Sequence, residues 1–163
     1  MTIKIGDVLP NVTVKRLGEN GIEDLDFGAY IKGKKIVLFA VPGAYTPTCH
    51  LKHLPGYVAN ADQIKAKGVD DIICLSVNDP FVMKAWGDSV GAAGKVTMIP
   101  DWNAAFVTAL GLTLDAAGAG LGTRAQRFSM VIEDGVVTDL QVEPVASAVE
   151  LSGADLCLSK LAA

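Results

Sequence analysis

The sequence has few of the residues that build metal sites, disulfide frameworks and nucleic-acid surfaces. Among 163 residues it has three cysteines and two histidines, and 18 acidic side chains outnumber 14 basic ones for a net charge of −4. A small, odd number of cysteines argues against a disulfide framework. With no close cysteine pair, a closed zinc site would need an unusual ligand set. The acidic balance gives no electrostatic footprint for nucleic acid or an anionic membrane.

Long apolar runs are also missing. No stretch approaches the roughly 20 apolar residues of a membrane-spanning helix, and residues 1–10 lack the apolar core of a signal peptide. Half of the chain is nevertheless apolar, with a mean hydropathy of +0.37. A chain of this size is expected to bury about 70% of its unfolded surface in one core. We therefore predict a single cytoplasmic domain spanning residues 1–163.

Strand and helix signals alternate along the chain. Predicted strands are a hairpin around 19–21, the apolar runs 35–41, 72–77 and 96–99, and the hairpin arms 127–132 and 136–142. Predicted helices are 46–67 with an interruption at 55–56, 80–86 capped by Asp79, one from 101 or 103 to 110, and 150–161, whereas 116–123 is predicted to be a loop. This order predicts an α/β fold with a mixed β-sheet and helices on both faces.

The strongest strand is followed by a loop that opens a helix. Thr46 is a good N-cap and Pro47 is favoured at the first helical position, so Cys49 is predicted to lie third in the helix. There its sulfur faces unpaired N–H groups and the positive end of the helix dipole, which favour the nucleophilic thiolate. A buried structural cysteine is the alternative.

Five segments together resemble the peroxiredoxins, specifically the type II, or peroxiredoxin 5-like, subfamily. Residues 42–49 read PGAYTPTC and are similar to the family's P-x-x-x-T-x-x-C motif. Further similar segments are KHLPGY at 52–57, SVNDPFVMKAW at 76–86, LGTR at 121–124 and RFSMV at 127–131. The resemblance implies a thioredoxin-like fold and a thiol-dependent peroxidase that reduces hydrogen peroxide and small alkyl hydroperoxides without metal or cofactor. It also implies a homodimer formed near the active-site helices, for which Tyr45, Phe81 and Trp86 are candidates.

The resemblance assigns roles to four residues. Cys49 is the peroxidatic nucleophile, Thr46 hydrogen-bonds the peroxide oxygens, and Pro42 shields the thiolate. Arg127 fixes the substrate and stabilises the thiolate, a role that suits a permanently charged fork of donors. Arg124 is only three residues away, and spacing alone does not choose between them, although the Arg-Phe pair favours Arg127.

The two histidines follow Cys49 closely. His53 is four residues further on and so lies on the same helical face. A Cys–His pair of the protease kind is one interpretation, but no orienting carboxylate follows. We therefore predict that His53 is structural or supports the residues that contact Cys49, and that His50 faces solvent.

The remaining cysteines bear on how oxidised Cys49 is reduced. Two-cysteine relatives carry a resolving cysteine after the Glu-Pro element, but residues 147–152 here contain none. Cys74 occupies the place of the second cysteine of plant-type members, so it is a candidate resolving residue or a structural one in a buried strand. Cys157 is predicted to be a packing residue. We therefore predict that glutaredoxin with glutathione, or thioredoxin, is the reductant.

Two other functions are compatible with a reactive cysteine. A disulfide exchanger of the thioredoxin type needs a second cysteine within a few residues of Cys49, and the next is Cys74. A redox sensor or chaperone-like protein switched by Cys49 oxidation is the second alternative, and nothing in the sequence excludes it.

Overall fold

The apolar run Lys35–Val41 forms the centre of a five-stranded sheet in a computed structural model that describes residues 1–161. The strands are β1 (Thr13–Gly18), β2 (Gly21–Asp26), β3 (Lys35–Val41), β4 (Asp71–Ser76), β5 (Thr97–Pro100), β6 (Thr113–Ala116), β7 (Gly122–Ala125), β8 (Phe128–Glu133) and β9 (Val136–Val142). The helices are α1 (Phe27–Ile31), α2 (Leu54–Lys65), α3 (Pro80–Ser89), α4 (Ala105–Leu110) and α5 (Ala154–Leu161), with a π-helical turn at Cys49–His53 directly before α2.

The main sheet is mixed, as predicted. Its strand order is β5-β4-β3-β8-β9, with β3, β4 and β5 parallel and with β8 and β9 antiparallel to their neighbours. The parallel strands have crossover helices between them, and β8 and β9 form a hairpin. This arrangement confirms the predicted thioredoxin-like α/β fold.

The two faces of β3 build two separate cores, because successive side chains of a strand point to opposite sides. Ile36, Leu38 and Ala40 pack with α1 and α4, whereas Val37, Phe39 and Val41 pack with α2, α3 and α5. Helices therefore cover both faces of the sheet. Cys49 belongs to the second core.

The long helix differs from its predicted form at Pro55. The backbone stays helical from residue 47 to residue 65, and the predicted interruption at 55–56 is wrong. Proline has no N–H to donate, and the turn before it is widened so that the Leu54 N–H bonds the Cys49 carbonyl five residues back. The π-helical turn thus lets the helix pass through Pro55.

Four other features also differ from the predictions. Residues 116–123 are not a plain loop, since β6 and β7 pair as an antiparallel ribbon around a short 3₁₀ turn. The last helix begins at Ala154 rather than at Glu150. Helix α1, capped by the Asp26 side chain, was not predicted, and α3 continues three residues beyond Trp86.

The strongest turn prediction is confirmed. Asp134 and Gly135 both have positive φ, 46° and 82°, as a two-residue turn of the primed type requires between β8 and β9. Asp79 caps α3 by accepting the Val82 N–H at 2.9 Å, also as predicted. Within residues 1–161, no helix combines the length and the apolar character needed to cross a membrane.

Candidate active site

Cys49 lies at the start of the long helix, at the carboxyl end of β3. Pro47 and Thr48 form the first helical positions, and Cys49 is the third, with a fully buried side chain. Pro42, directly after β3, is also buried. The sulfur therefore lies at a helix N-terminus and is screened from bulk water.

The Arg127 guanidinium lies against this sulfur. Its Nη2 donates to Cys49 Sγ at 3.0 Å, its Nη1 to His53 Nδ1 at 2.8 Å, and its Nε to the Ala146 carbonyl at 2.8 Å. All three nitrogens are engaged, so the guanidinium plane is fixed relative to the sulfur.

Charge balance at this pair favours an ionised sulfur. Arg127 is only 2% exposed, and among residues 1–161 no carboxylate lies within ion-pair distance of it. A buried cation needs a partner of opposite charge. Cys49 is the group in contact that can supply one, because the thiolate carries a negative charge.

His53 connects Arg127 to the segment that precedes the last helix. Burial, together with the Arg127 charge, lowers the pKa of His53 to about 3, so the imidazole is neutral near pH 7. Its Nε2 donates to the Ser152 carbonyl at 2.9 Å, which leaves the Nδ1 lone pair to accept from Arg127. Both ring nitrogens are thus occupied. In this arrangement His53 has no free lone pair for the thiol, which disfavours the protease-like interpretation.

The aromatic rings of Phe39 and Tyr57 pack beside the imidazole of His53. Tyr57 stacks on Phe39 with a centroid distance of 4.0 Å and an interplanar angle of 5°, and Phe39 lies 4.9 Å from the His53 ring. Burial raises the pKa of Tyr57 well above its usual value, so the hydroxyl remains a donor, and it bonds the Ser152 carbonyl at 2.7 Å. The Ser152 carbonyl therefore accepts from both His53 and Tyr57.

Thr46 makes a different contact from the one predicted. Its hydroxyl donates to the Gly43 carbonyl at 2.7 Å instead of capping the helix by accepting an N–H. The Ala44 N–H donates to Asn78 Oδ1 at 3.0 Å, and Tyr45 has a φ of 63°, a strained value for a non-glycine residue. Two hydrogen bonds thus hold the loop before Cys49 in one conformation: the Thr46 hydroxyl to the Gly43 carbonyl, and the Ala44 N–H to Asn78.

The contacts distinguish the two candidate arginines as predicted, whereas His50 and Trp86 differ from their predicted surroundings. Arg124 bonds the carbonyls of Val77 and Leu121, so Arg127 is the arginine at the sulfur. His50 does not simply face solvent, because its Nδ1 accepts from Trp86 Nε1 at 3.0 Å. Trp86 is fully buried and is therefore unavailable to a dimer interface.

The other two thiols are buried and uncharged. Cys74 in β4 has no exposed surface, and burial raises its pKa well above the usual value. Burial likewise raises the pKa of Cys157 in α5 to about 11. Both pack in the same core as Cys49, and all three cysteines are free. Near pH 7 neither Cys74 nor Cys157 is a ready nucleophile.

The sequence did not point to three residues that shape the site, Glu143, Ser152 and Asn78. Asn78 and Ser152 bond residues 34 and 99 positions away, and no spacing pattern signals these pairs. Asn78 lies in a segment that carries the family resemblance and Glu143 in the Glu-Pro element, but neither was assigned a role in the site. No cluster of three or more His, Cys, Asp or Glu side chains able to hold a metal occurs in the part of the chain that the structure describes.

Known proteins resemble this chain over nearly its whole length. The Redoxin family matches residues 4–157. Peroxiredoxin-2B of Arabidopsis thaliana is 45% identical over 142 residues, which are 86% of this chain and 88% of that protein. Peroxiredoxin-2C of Oryza sativa subsp. japonica is 42% identical over 160 residues, 98% of each chain. Reduced Prx3 of Vibrio vulnificus, solved in complex with H₂O₂, is 49% identical, covers 98% of this chain and 99% of its own, and superposes with a TM-score of 0.93.

Fold and site together define a redoxin, a thioredoxin-like protein that works through a cysteine thiol. Within that class, the chain belongs to the peroxiredoxin family, whose members are thiol-dependent peroxidases. The predicted family is thereby confirmed, and the plant relatives are peroxiredoxins of the second type by name.

Proposed function

We propose that this peroxiredoxin reduces hydrogen peroxide and small alkyl hydroperoxides, with Cys49 as the peroxidatic nucleophile. The observation that carries the proposal is the 3.0 Å contact between Arg127 Nη2 and Cys49 Sγ. The thiolate attacks one peroxide oxygen and the O–O bond breaks. Cys49 becomes a sulfenic acid, and the departing oxygen takes up a proton to leave as water or an alcohol.

The neighbouring groups suit this reaction. Negative charge moves from sulfur to the departing oxygen, and fixed donors near both atoms stabilise the transition state without reorganising. Arg127 supplies such donors. The Thr46 hydroxyl already donates to Gly43, so its oxygen is oriented to accept a peroxide O–H, while buried Pro42 limits water at the sulfur. The hydrogen peroxide complex of the Vibrio protein supports this choice of substrate.

An external thiol completes the proposed cycle. It attacks the sulfenic sulfur, releases water and forms a mixed disulfide with Cys49, and a second thiol then displaces Cys49 as a thiol. The burial of Cys74 and Cys157 supports an external reductant over an internal one. We propose glutaredoxin with glutathione, or thioredoxin, for this step.

Turnover in a variant without the other thiols tests the whole cycle. The variant Cys74→Ser, Cys157→Ser is supplied with peroxide and with glutathione plus glutaredoxin, or with thioredoxin, and Cys49→Ser is the matched control. We expect turnover comparable to wild type with at least one reductant and none in the control. Loss of turnover with every external thiol, in a folded variant, would refute the reductant proposal. Oxidation of Cys49 without regeneration by any thiol would instead indicate a sensor.

We further propose that the protein forms a homodimer near the active site. Tyr45, Leu51 and Phe81 support this, because these large apolar side chains are 49%, 71% and 60% exposed and lie in or beside the loop and helices around Cys49. Light scattering of wild type and Phe81→Asp tests it. A dimer that Phe81→Asp dissociates is the expected result, and a wild-type monomer at micromolar concentration would contradict the proposal.

We also propose a cytoplasmic location. The three free cysteines suit a reducing compartment, which the cytoplasm provides. Microscopy of the full chain fused to a fluorescent protein tests this location, and accumulation in another compartment would overturn it.

A further inference from the structure

A buried carboxylate lies at the far end of the hydrogen-bond chain that leads to Cys49. Glu143 directly follows β9 and is 5% exposed. Its Oε1 accepts the backbone N–H groups of Glu150, Leu151 and Ser152 at 2.8, 2.6 and 2.7 Å, and the Ser152 hydroxyl at 2.9 Å. One oxygen thus closes residues 143–152 into a loop, called the strap below.

These bonds explain why the last helix starts late. The N–H groups of residues 150–152 are satisfied by the carboxylate, so the segment does not need helical geometry until Ala154. The strap is therefore an ordered structure of its own, built around a single side chain.

The strap's carbonyls in turn hold the catalytic side chains. Arg127 Nε donates to the Ala146 carbonyl at 2.8 Å, and His53 Nε2 donates to the Ser152 carbonyl at 2.9 Å. The Glu143 N–H also donates to the Arg127 carbonyl at 2.9 Å. Arg127 and His53 then meet each other, and Arg127 meets the sulfur. Hydrogen bonds and the backbone of the strap therefore connect Glu143 to Cys49.

We propose that Glu143 is a positioning residue for peroxide reduction, acting by fixing the strap so that its carbonyls aim Arg127 and His53 at Cys49. The proposal rests on the proposed role of Cys49. Glu143 makes no hydrogen bond to the sulfur among the described residues, and its carboxylate acts on the site through the strap, whose Ala146 and Ser152 carbonyls bond Arg127 and His53.

The negative charge of Glu143 is part of this role. Burial by itself would raise the pKa of Glu143, but the N–H groups of Ser152 and Leu151, with the other donors, outweigh it and lower the pKa. Charged acceptors make hydrogen bonds about twice as strong as neutral ones. Oε2 is buried without a partner among the described residues, so an amide at this position would bury an N–H₂ group with no acceptor there. The site is therefore built for a carboxylate.

The test compares two isosteric substitutions of buried carboxylates. Glu143→Gln is the test variant. Asp101→Asn is the matched control, because Asp101 is 3% exposed, accepts the Phe106 and Val107 N–H groups at 3.0 Å, and lies at the start of α4 on the opposite face of the sheet. Both variants lose a buried charge that holds backbone N–H groups, but only the Glu143 carboxylate holds a segment whose carbonyls bond Arg127 and His53.

The readout is the second-order rate constant for oxidation of Cys49 by hydrogen peroxide, measured at a temperature where both variants are folded. We expect Glu143→Gln to lose about 10-fold or more, because misplacing a reacting group by about 1 Å costs up to 100-fold. Asp101→Asn is expected to stay within about 2-fold of wild type. The pH profile of Cys49 alkylation should move toward higher pH in Glu143→Gln alone, since a displaced guanidinium stabilises the thiolate less.

A double-variant cycle with Arg127→Lys tests the route. If Glu143 acts through Arg127, adding Glu143→Gln to Arg127→Lys should lower the rate by no more than about 2-fold further. Fully multiplicative losses, or equal losses in Glu143→Gln and Asp101→Asn, would overturn the proposal. Should Glu143→Gln not fold, Ser152→Ala removes one donor of the strap and keeps its carbonyl. A loss of about 3-fold is then expected, and an unchanged rate would count against the proposal.

Failure of this proposal is distinguishable from failure of the proposed function. A wild-type protein whose Cys49 does not react with peroxide would refute the function itself. A reactive wild type with an equally reactive Glu143→Gln would refute only the positioning role.

Discussion

Mild acid is expected to destabilise the fold through His53. This imidazole is buried between Arg127, Phe39 and the Ser152 carbonyl, and burial with the Arg127 charge lowers its pKa to about 3. In the unfolded chain the same group has a pKa of about 6.5. Below that value the unfolded chain binds a proton that the folded protein does not, so stability is full at higher pH and is lost as the pH falls.

The size of the effect follows from the two pKa values. Each unit of difference corresponds to about 1.36 kcal/mol, so the total loss approaches about 5 kcal/mol once the pH has fallen to the folded pKa of about 3. Between about pH 7.5 and pH 5 the expected loss is about 2 kcal/mol, with a slope that reaches about 1.36 kcal/mol per pH unit. Glu143, whose lowered pKa acts in the same direction, adds its contribution only at more acid pH.

Urea unfolding across this pH range measures the slope directly. Wild type is compared with His53→Gln, which cannot bind the proton, and the difference between the two slopes isolates His53 from every other group. We expect the variant to lose about 2 kcal/mol less than wild type between about pH 7.5 and pH 5, whatever its stability at pH 7.5. Equal slopes would show that His53 does not cause the loss of stability in mild acid. So would an imidazole resonance that titrates in this range in folded His50→Gln, in which His53 is the only histidine left.

Two further outcomes are expected from single substitutions. Arg127→Lys should lower the rate of peroxide reduction about 100-fold, because an ammonium group cannot reproduce the contacts to Cys49, His53 and Ala146 together. A stopped-flow rate within about 5-fold of wild type would contradict the site geometry. Asp79→Ala should lower the free energy of unfolding by about 1 kcal/mol through loss of the α3 cap, and its peroxide rate should stay within about 2-fold of wild type. An unchanged melting curve would contradict the capping contact.

The sheet could be predicted because its signals are local. Strand β3 is a run of apolar residues buried on both faces, and the turn at Asp134 and Gly135 has the residue types that a tight hairpin needs. The placement of Cys49 third in the helix followed from Pro47 in the same way. Such features are determined by residues a few positions apart.

The missed features depend on individual hydrogen bonds, some local and some between distant residues, that residue types and periodicity do not specify. The helix continues through Pro55 because a widened turn absorbs the missing N–H. The start of α5 is set by Glu143, and the orientation of His50 is set by Trp86, 36 residues away. The Thr46 hydroxyl donates to the Gly43 carbonyl instead of accepting an N–H from the helix, and the sequence is compatible with either hydrogen bond. No periodic pattern records these pairings.

We propose that the buried pair of Arg127 and Cys49 makes this one thiol the site of peroxide chemistry. Mass spectrometry of the protein after one equivalent of hydrogen peroxide, with and without glutathione, shows which sulfur is oxidised. We expect one added oxygen on Cys49 alone, converted to a glutathione adduct on the same residue when glutathione is present. An unmodified Cys49, or oxygen distributed over Cys74 and Cys157 as well, would contradict it.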